Sequence, residues 1–258
     1  MDLRAQDFFV PGYNEAVSWG SYNKQETGAA SFNTNKAALA RLKETALIVS
    51  GERPFGLPEP GRYRAGMAFP AGPGSFAVQA GLLRVAGYSE SMLALAYARK
   101  LGNVAALGVQ VCGLRAAVPG YRPGTAVVAD LGLLLQVTSQ LNAGWNISVP
   151  YQPGNRAVSS GTALIYSMGL GYDASENWCA ALEIGHSPGR GTTATAGFIY
   201  RPVPPVQLRM GFGAGGPPVW FGVGYTLGLF RLMVSMSLHD RLGFTPAINL
   251  EHFFNRQP

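Results

Sequence analysis

The chain has no uninterrupted apolar run of eighteen residues, and a helix needs about 20 of them to cross a bilayer, so a membrane-spanning helix is excluded. It is also poor in charge: Asp, Glu, Lys and Arg make up 13%, against about 25% in an ordinary soluble domain. Histidine occurs three times, and His186, His239 and His252 are too far apart to form a ligand spacing, so no metal is expected. Cysteine occurs twice. Cys112 and Cys179 lie in separate expected strands among small or apolar neighbours and read as packing residues; nothing in the sequence supports a bridge between them. The glycine-rich run from Gly211 to Gly216 is not followed by a helical pattern, which removes a dinucleotide-loop reading. No catalytic constellation remains, so neither an enzyme nor a cofactor is expected.

What the chain does have is glycine, 34 of 258 residues, in a composition that is 47% apolar. Such a chain is too apolar to stay disordered and too rich in glycine to be helical. The net charge of +6 would suit an acidic partner, but the basic residues fall singly at strand ends and in loops, as Arg62, Arg84, Lys100, Arg122, Arg190 and Arg241 show. No nucleic-acid partner is expected, and the dispersed cations suit interface anchoring and solubility.

From Glu44 onward the sequence is periodic, with segments of alternating apolar and small or polar residues separated by Pro, Gly, Asn or Ser clusters, the period-two signature of strands. In one such segment Leu141, Ala143, Trp145, Ile147 and Val149 share a face, opposed by Asn142, Gly144, Asn146 and Ser148. Asn146-Ile147-Ser148 also fits a glycosylation sequon, but inside an expected strand it carries no weight. The opposing faces are mostly Gly, Ala, Ser, Asn and Gln, whereas the outer face of a soluble sandwich would be rich in Lys, Glu and Thr. A barrel in lipid turns its large apolar residues outward and its small and polar ones inward.

Strands are expected near 44–52, 61–69, 74–86, 90–100, 103–116, 124–138, 140–149, 161–173, 176–186, 191–201, 205–214, 217–227, 229–239 and 245–254. The fold class is therefore all-β: an antiparallel transmembrane β-barrel of about 14 strands, an even number as closure requires. Links at 71–73, 101–102, 139, 174–175, 202–204 and 228 are tight, while those at 53–60, 87–89, 119–123, 150–160, 188–190, 215–216 and 240–244 are longer on average. That asymmetry puts both termini in the periplasm of a bacterial outer membrane. Tyr97, Tyr166, Tyr172, Tyr200 and Tyr225 near strand ends, with Trp178 and Trp220 at strand starts, are expected to form aromatic belts.

Residues 1–43 differ from the rest. Ala5-Gln6 before Asp7 reads as the tail of an export signal whose front is missing. Residues 7–43 alternate little and hold a helical turn from Lys36 to Lys43. A barrel well above eight strands is wider than its own side chains can fill, so this segment is expected to be a plug in the lumen. Gln79, Gln110, Gln136, Gln207, Asp130 and Asn249 are the expected lumenal partners of its backbone. The expected lumenal charges are Asp130, Glu183 and Glu251 against Arg201, Arg209 and Arg231. Buried charges must be paired or solvated, so they form either a network holding the plug or a selective polar pathway.

Three stretches carry a resemblance: Ala30 to Ala40, with Asn33, Asn35, Ala37 and Leu39 in the position of an Asn-Pro-Ala-Gly-Leu-Ala type motif; Leu95 to Gly102 followed by Ala106 to Val109; and Leu238 to Pro246. They resemble Bacteroidetes outer-membrane barrels related to type IX secretion components, the PorV/PorQ group, themselves similar in architecture to long-chain fatty-acid transporters. Lys36 stands where that family usually has Pro. The resemblance implies a fourteen-stranded barrel with an N-terminal segment inside and no catalytic residues. It also implies a non-enzymatic docking component of a larger outer-membrane secretion or assembly complex, embedded in outer-membrane lipid and lipopolysaccharide. The plugged architecture leaves a second expectation, a transporter of small hydrophobic molecules.

Overall fold

The computed structural model describes residues 20–26, 28–151, 164–188, 191–215, 219–239 and 242–254. The expected signal remnant, residues 7–19 of the plug, and Arg190 and Arg241 lie outside them, as do parts of the links at 150–160, 188–190, 215–216 and 240–244.

The strands are β1 (Thr45–Glu52), β2 (Gly61–Ala71), β3 (Gly74–Val85), β4 (Tyr88–Leu101), β5 (Ala105–Ala117), β6 (Gly124–Gln136) and β7 (Leu141–Tyr151). They continue as β8 (Ile165–Asp173), β9 (Trp178–Ser187), β10 (Gly191–Tyr200), β11 (Val206–Ala214), β12 (Val219–Leu227), β13 (Phe230–His239) and β14 (Gly243–Phe254). Each pairs antiparallel with its neighbours in sequence, and β1 closes on β14 with Thr45 opposite Phe254 and Glu52 opposite Ala247. The sheet is thus a closed barrel, with every ladder satisfied and no edge, the only way a sheet can stand in hydrocarbon.

The end at which β1 starts and β14 finishes is called the near end below. Its turns are tight: β12 and β13 are joined by Gly228-Leu229, with Gly228 at φ 54. Only glycine adopts that conformation without steric cost. At the far end the links 53–60 and 118–123 are longer.

Alternation settles which face is which. On β4, Leu93 and Leu95 are 58% and 60% exposed while Met92, Ala94, Ala96 and Ala98 are buried. The same alternation puts Trp145 and Ile147 of β7, Leu182 and Ile184 of β9, and Leu232 and Val234 of β13 outside. The buried faces are the lumenal ones, since they carry the contacts to residues 20–43. Large apolar side chains therefore face outward and small or polar ones inward, as a barrel in lipid requires.

One expectation is corrected. Tyr166, Tyr172, Tyr200, Tyr225 and Trp178 are exposed on the outside, but Trp220 is fully buried in the lumen. Its neighbours Val219, Phe221, Val223 and Tyr225 take the outward positions of β12, so parity turns Trp220 inward. It lies opposite Gly211 in register, and a Cβ on Gly211 would come within 2.2 Å of the indole. The glycine supplies the volume that the ring fills.

Candidate functional site

The described part of the N-terminal segment folds into the near half of the lumen as two short 3-10 turns, Ser31–Asn33 and Lys36–Arg41. The second ends close to the expected helical turn. It starts because Asn35 caps it: the Asn35 Oδ1 accepts from the Ala37 N–H at 2.9 Å. The same side chain donates through Nδ2 to the carbonyls of Leu133 at 3.2 Å and Trp145 at 3.0 Å, so one residue both starts the turn and ties it to β6 and β7. Ala37 and Leu39 are buried, in one apolar cluster with Tyr22, Phe32, Ala96, Ala98 and Phe253. Asn33 contributes its carbonyl, which accepts from Lys36 Nζ at 3.0 Å.

The turn fits because the wall there is glycine. A Cβ on Gly108 would lie 2.3 Å from the carbonyl carbon of Lys36, and one on Gly132 would lie 2.5 Å from Asn35 Oδ1. Tyr22 uses the same device further round, lying against Gly144, Gly169 and Gly171. Its hydroxyl donates to Glu183. Burial and the charge of Glu183 push the Tyr22 phenol well above its ordinary value, so it is the donor.

Toward β10–β14 the attachment is ionic. Glu26 is buried and pairs with Arg201 and, at 2.6 Å, with Arg209, and it also accepts from Gln207 at 2.9 Å. Burial would raise its pKa, but the charges of Arg209, Arg201 and Arg231 outweigh that and hold the carboxyl below its ordinary value. Arg201 also donates to Gln25 at 2.7 Å. Arg231 pairs with Glu251 at 3.3 Å, and Glu251 accepts from the Ala30 N–H at 3.3 Å. A small cleft between this segment and β11, β13 and β14 leaves room for about one water molecule. At the near rim Lys24 donates its N–H to Asp173 at 3.0 Å and its ammonium to the Ser139 carbonyl at 2.7 Å. Arg41 straps the segment to itself through the carbonyls of Ser21 and Asn23.

The six expected charges all lie at the lumen, but most do not pair with one another. Only Arg231 and Glu251 do so. Arg201 and Arg209 turn to the plug, Glu183 takes Tyr22, and Asp130 accepts from Gln110 at 2.8 Å and from Ser148. Of the expected glutamines, Gln207 meets Glu26 by its side chain, while Gln79 is buried on β3 and Gln136 ends β6. Asn249 is buried, and among the described residues its Oδ1 has no partner. Sequence reasoning missed Glu26, Tyr22, Asn23, Arg41 and Asp173. Glu26 had a usable signal, being the one acidic residue between positions 16 and 43 of a segment that faces an arginine-rich wall. Among the described residues no group of three or more His, Cys, Asp or Glu side chains gathers that could hold a metal, and both cysteines are buried and free.

No protein-family model matches the chain, and no curated protein sequence does. Solved structures do match. The Pseudomonas putida toluene transporter TodX is 13% identical, with 96% of this chain and 99% of that one covered at a TM-score of 0.64. A Pseudomonas aeruginosa FadL homologue is 12% identical, with 95% and 99% covered at 0.63. The Ralstonia pickettii toluene transporter TbuX is 12% identical, with 88% and 94% covered at 0.57. At these identities the likeness is one of fold. It bears out the coarser part of the resemblance, to the architecture of fatty-acid transporters, and gives no support to the finer part, the PorV/PorQ group and a Bacteroidetes source.

Proposed function

We propose that this protein is an outer-membrane channel for small hydrophobic molecules, closed at its near end by residues 20–43. One observation carries the reading: a barrel wider than its side chains can fill is stoppered by its own N-terminal segment, in a fold shared over most of the chain with toluene transporters. Hydrophobic solutes need such a route, because the charged outer leaflet of that membrane holds back what the hydrocarbon beneath it would dissolve. In this reading the near end faces the periplasm, the apolar outer face meets outer-membrane lipid and lipopolysaccharide, and the plug must shift for a molecule to leave. The docking role in a type IX-like secretion or assembly complex gains nothing from the comparisons or from the geometry. No catalytic role is proposed.

The test is uptake of radiolabelled toluene by Gram-negative cells that carry the protein in their outer membrane, with its slower migration when boiled confirming a folded barrel. Uptake several-fold above that of cells carrying an empty vector is expected. Equal uptake overturns the reading.

A further inference from the structure

Just beyond the plug, on the far side of Lys36, the lumenal faces of β5, β6 and β7 carry a row of polar side chains. Gln110, Asp130 and Ser148 lie opposite one another in register, and Asn146 is one lumenal step nearer the plug, opposite Gly132. Gln110 Nε2 and Ser148 both donate to Asp130, and Asn146 Nδ2 donates to Ser148 Oγ at 3.4 Å. These bonds fix which way the two amides point. Among the described residues they leave Gln110 Oε1 and Asn146 Oδ1 as acceptors without a donor, on side chains only 7% and 8% exposed. A buried acceptor left open forfeits its hydration without return, so two within one lumenal step of each other call for an explanation.

Over β4, β5 and β6 the next two lumenal rows toward the far end are apolar, and the same rows continue onto β3 and β2 with Gln79 and Arg64. Ala94, Cys112 and Val128 lie opposite one another, then Met92, Leu114 and Ala126, and all six pack with Leu83 and Tyr88 in one cluster. On the β4–β6 side, a molecule entering from the far end therefore meets an apolar wall and, at its foot, two open acceptors beside a carboxylate. Met92 is unbranched and adaptable, which lets this wall re-pack around a guest rather than hold a standing void.

We infer that the cluster Gln110–Asp130–Ser148–Asn146 is a selectivity station for hydrophobic molecules that carry a hydrogen-bond donor, such as a phenol or an aliphatic alcohol, in preference to bare hydrocarbons. The inference rests on the channel reading and specifies its substrate class. A hydroxyl satisfies one open acceptor and leaves its apolar body against Cys112, Leu114 and Val128. A hydrocarbon leaves both acceptors unmet. A site built on polar groups discriminates strongly against a ligand that leaves them unpaired.

The probes are p-cresol and toluene, which share one apolar body, offered to cells carrying the full-length protein in their outer membrane. Uptake of p-cresol about tenfold faster than toluene is expected, the factor that meeting one otherwise unmet buried acceptor supplies. In the double variant Gln110→Met, Asn146→Leu, checked for a folded barrel by its gel migration, the ratio of p-cresol to toluene uptake should fall to about one. Equal entry of p-cresol and toluene in the wild type overturns the station and leaves the channel standing. A preference that survives in the double variant places selectivity elsewhere and also overturns it. Failure of both probes to exceed the empty vector removes the channel reading and the station together.

Discussion

The plug is held in two different ways on its two sides. Toward β3–β6 the turn Lys36–Arg41 lies against alanine and glycine, and what matters is how closely two backbones approach. Toward β10–β14 the segment around Glu26 is held by charge, with Arg201 and Arg209 closing on one carboxylate and Arg231 paired to Glu251 beside them. Packing of the first kind is insensitive to pH and salt and is lost only if volume changes. An ionic latch of the second kind depends on a single proton and is costly when half broken, because the partners stay buried.

The largest way to break that asymmetry is Glu26→Gln. With Arg209 left buried beside a neutral amide, the ionic side should weaken by about 3–5 kcal/mol, read in micelles as amide exchange of residues 22–31 faster by about a hundredfold or more. Exchange of 36–41 should hardly move; if both stretches accelerate equally, the two sides are one cooperative unit. Acid should approach the same state reversibly. Because the Glu26 carboxyl in the folded protein titrates below its ordinary value of 4.5, its contribution is complete above that value and is lost as pH falls through the lower folded one. Lower protection of 22–31, measured against the intrinsic exchange rate at each pH, is therefore expected below pH 4.5 in the wild type, and that acid step should vanish in Glu26→Gln.

Gly132→Val attacks the other side. The added methyls have no room beside Asn35 and Ala37, and overpacking of this kind costs about 1–3 kcal/mol. Exchange of 36–41 should rise with the Glu26 latch intact, and an unchanged rate would mean the turn does not depend on that approach. The smallest effect is Asn35→Ala, about 1 kcal/mol for a lost cap. Protease nicking near 36–41 should increase by several-fold, and no change would show that the bonds to Leu133 and Trp145 carry nothing.

Most of the barrel was legible in the sequence, because alternation is a local property. Trp145, Ile147 and Val149 against Asn146 and Ser148 declare two faces without knowledge of any neighbour, and the strand ends followed to within a few residues. Trp220 shows where a local signal fails. A tryptophan near a strand start suits an interfacial belt, and only the outward positions of Val219 and Phe221, with the space above Gly211, turn it inward.

The candidate site was less legible. Lumenal charges could be named from the inward face of each strand, but their partners could not, since pairing across a lumen joins residues far apart in the chain. Arg209 and Glu26 are 183 positions apart, and no periodicity links them. Gln110, Asp130 and Ser148 become one row only once β5, β6 and β7 are set in register.

By itself, then, the sequence determined the period-two pattern, the outward apolar face, the even strand count and the need for something to fill the lumen, all consequences of composition and spacing along one segment at a time. Tertiary structure alone decided which residue closes on which: that Glu26 rather than Asp130 answers the arginines, that Gly108 and Gly132 make room for a turn, and that two amide oxygens are left open above it. Hydrogen bonds and ion pairs have ranges of a few ångströms, and only the closed barrel brings distant strands within them.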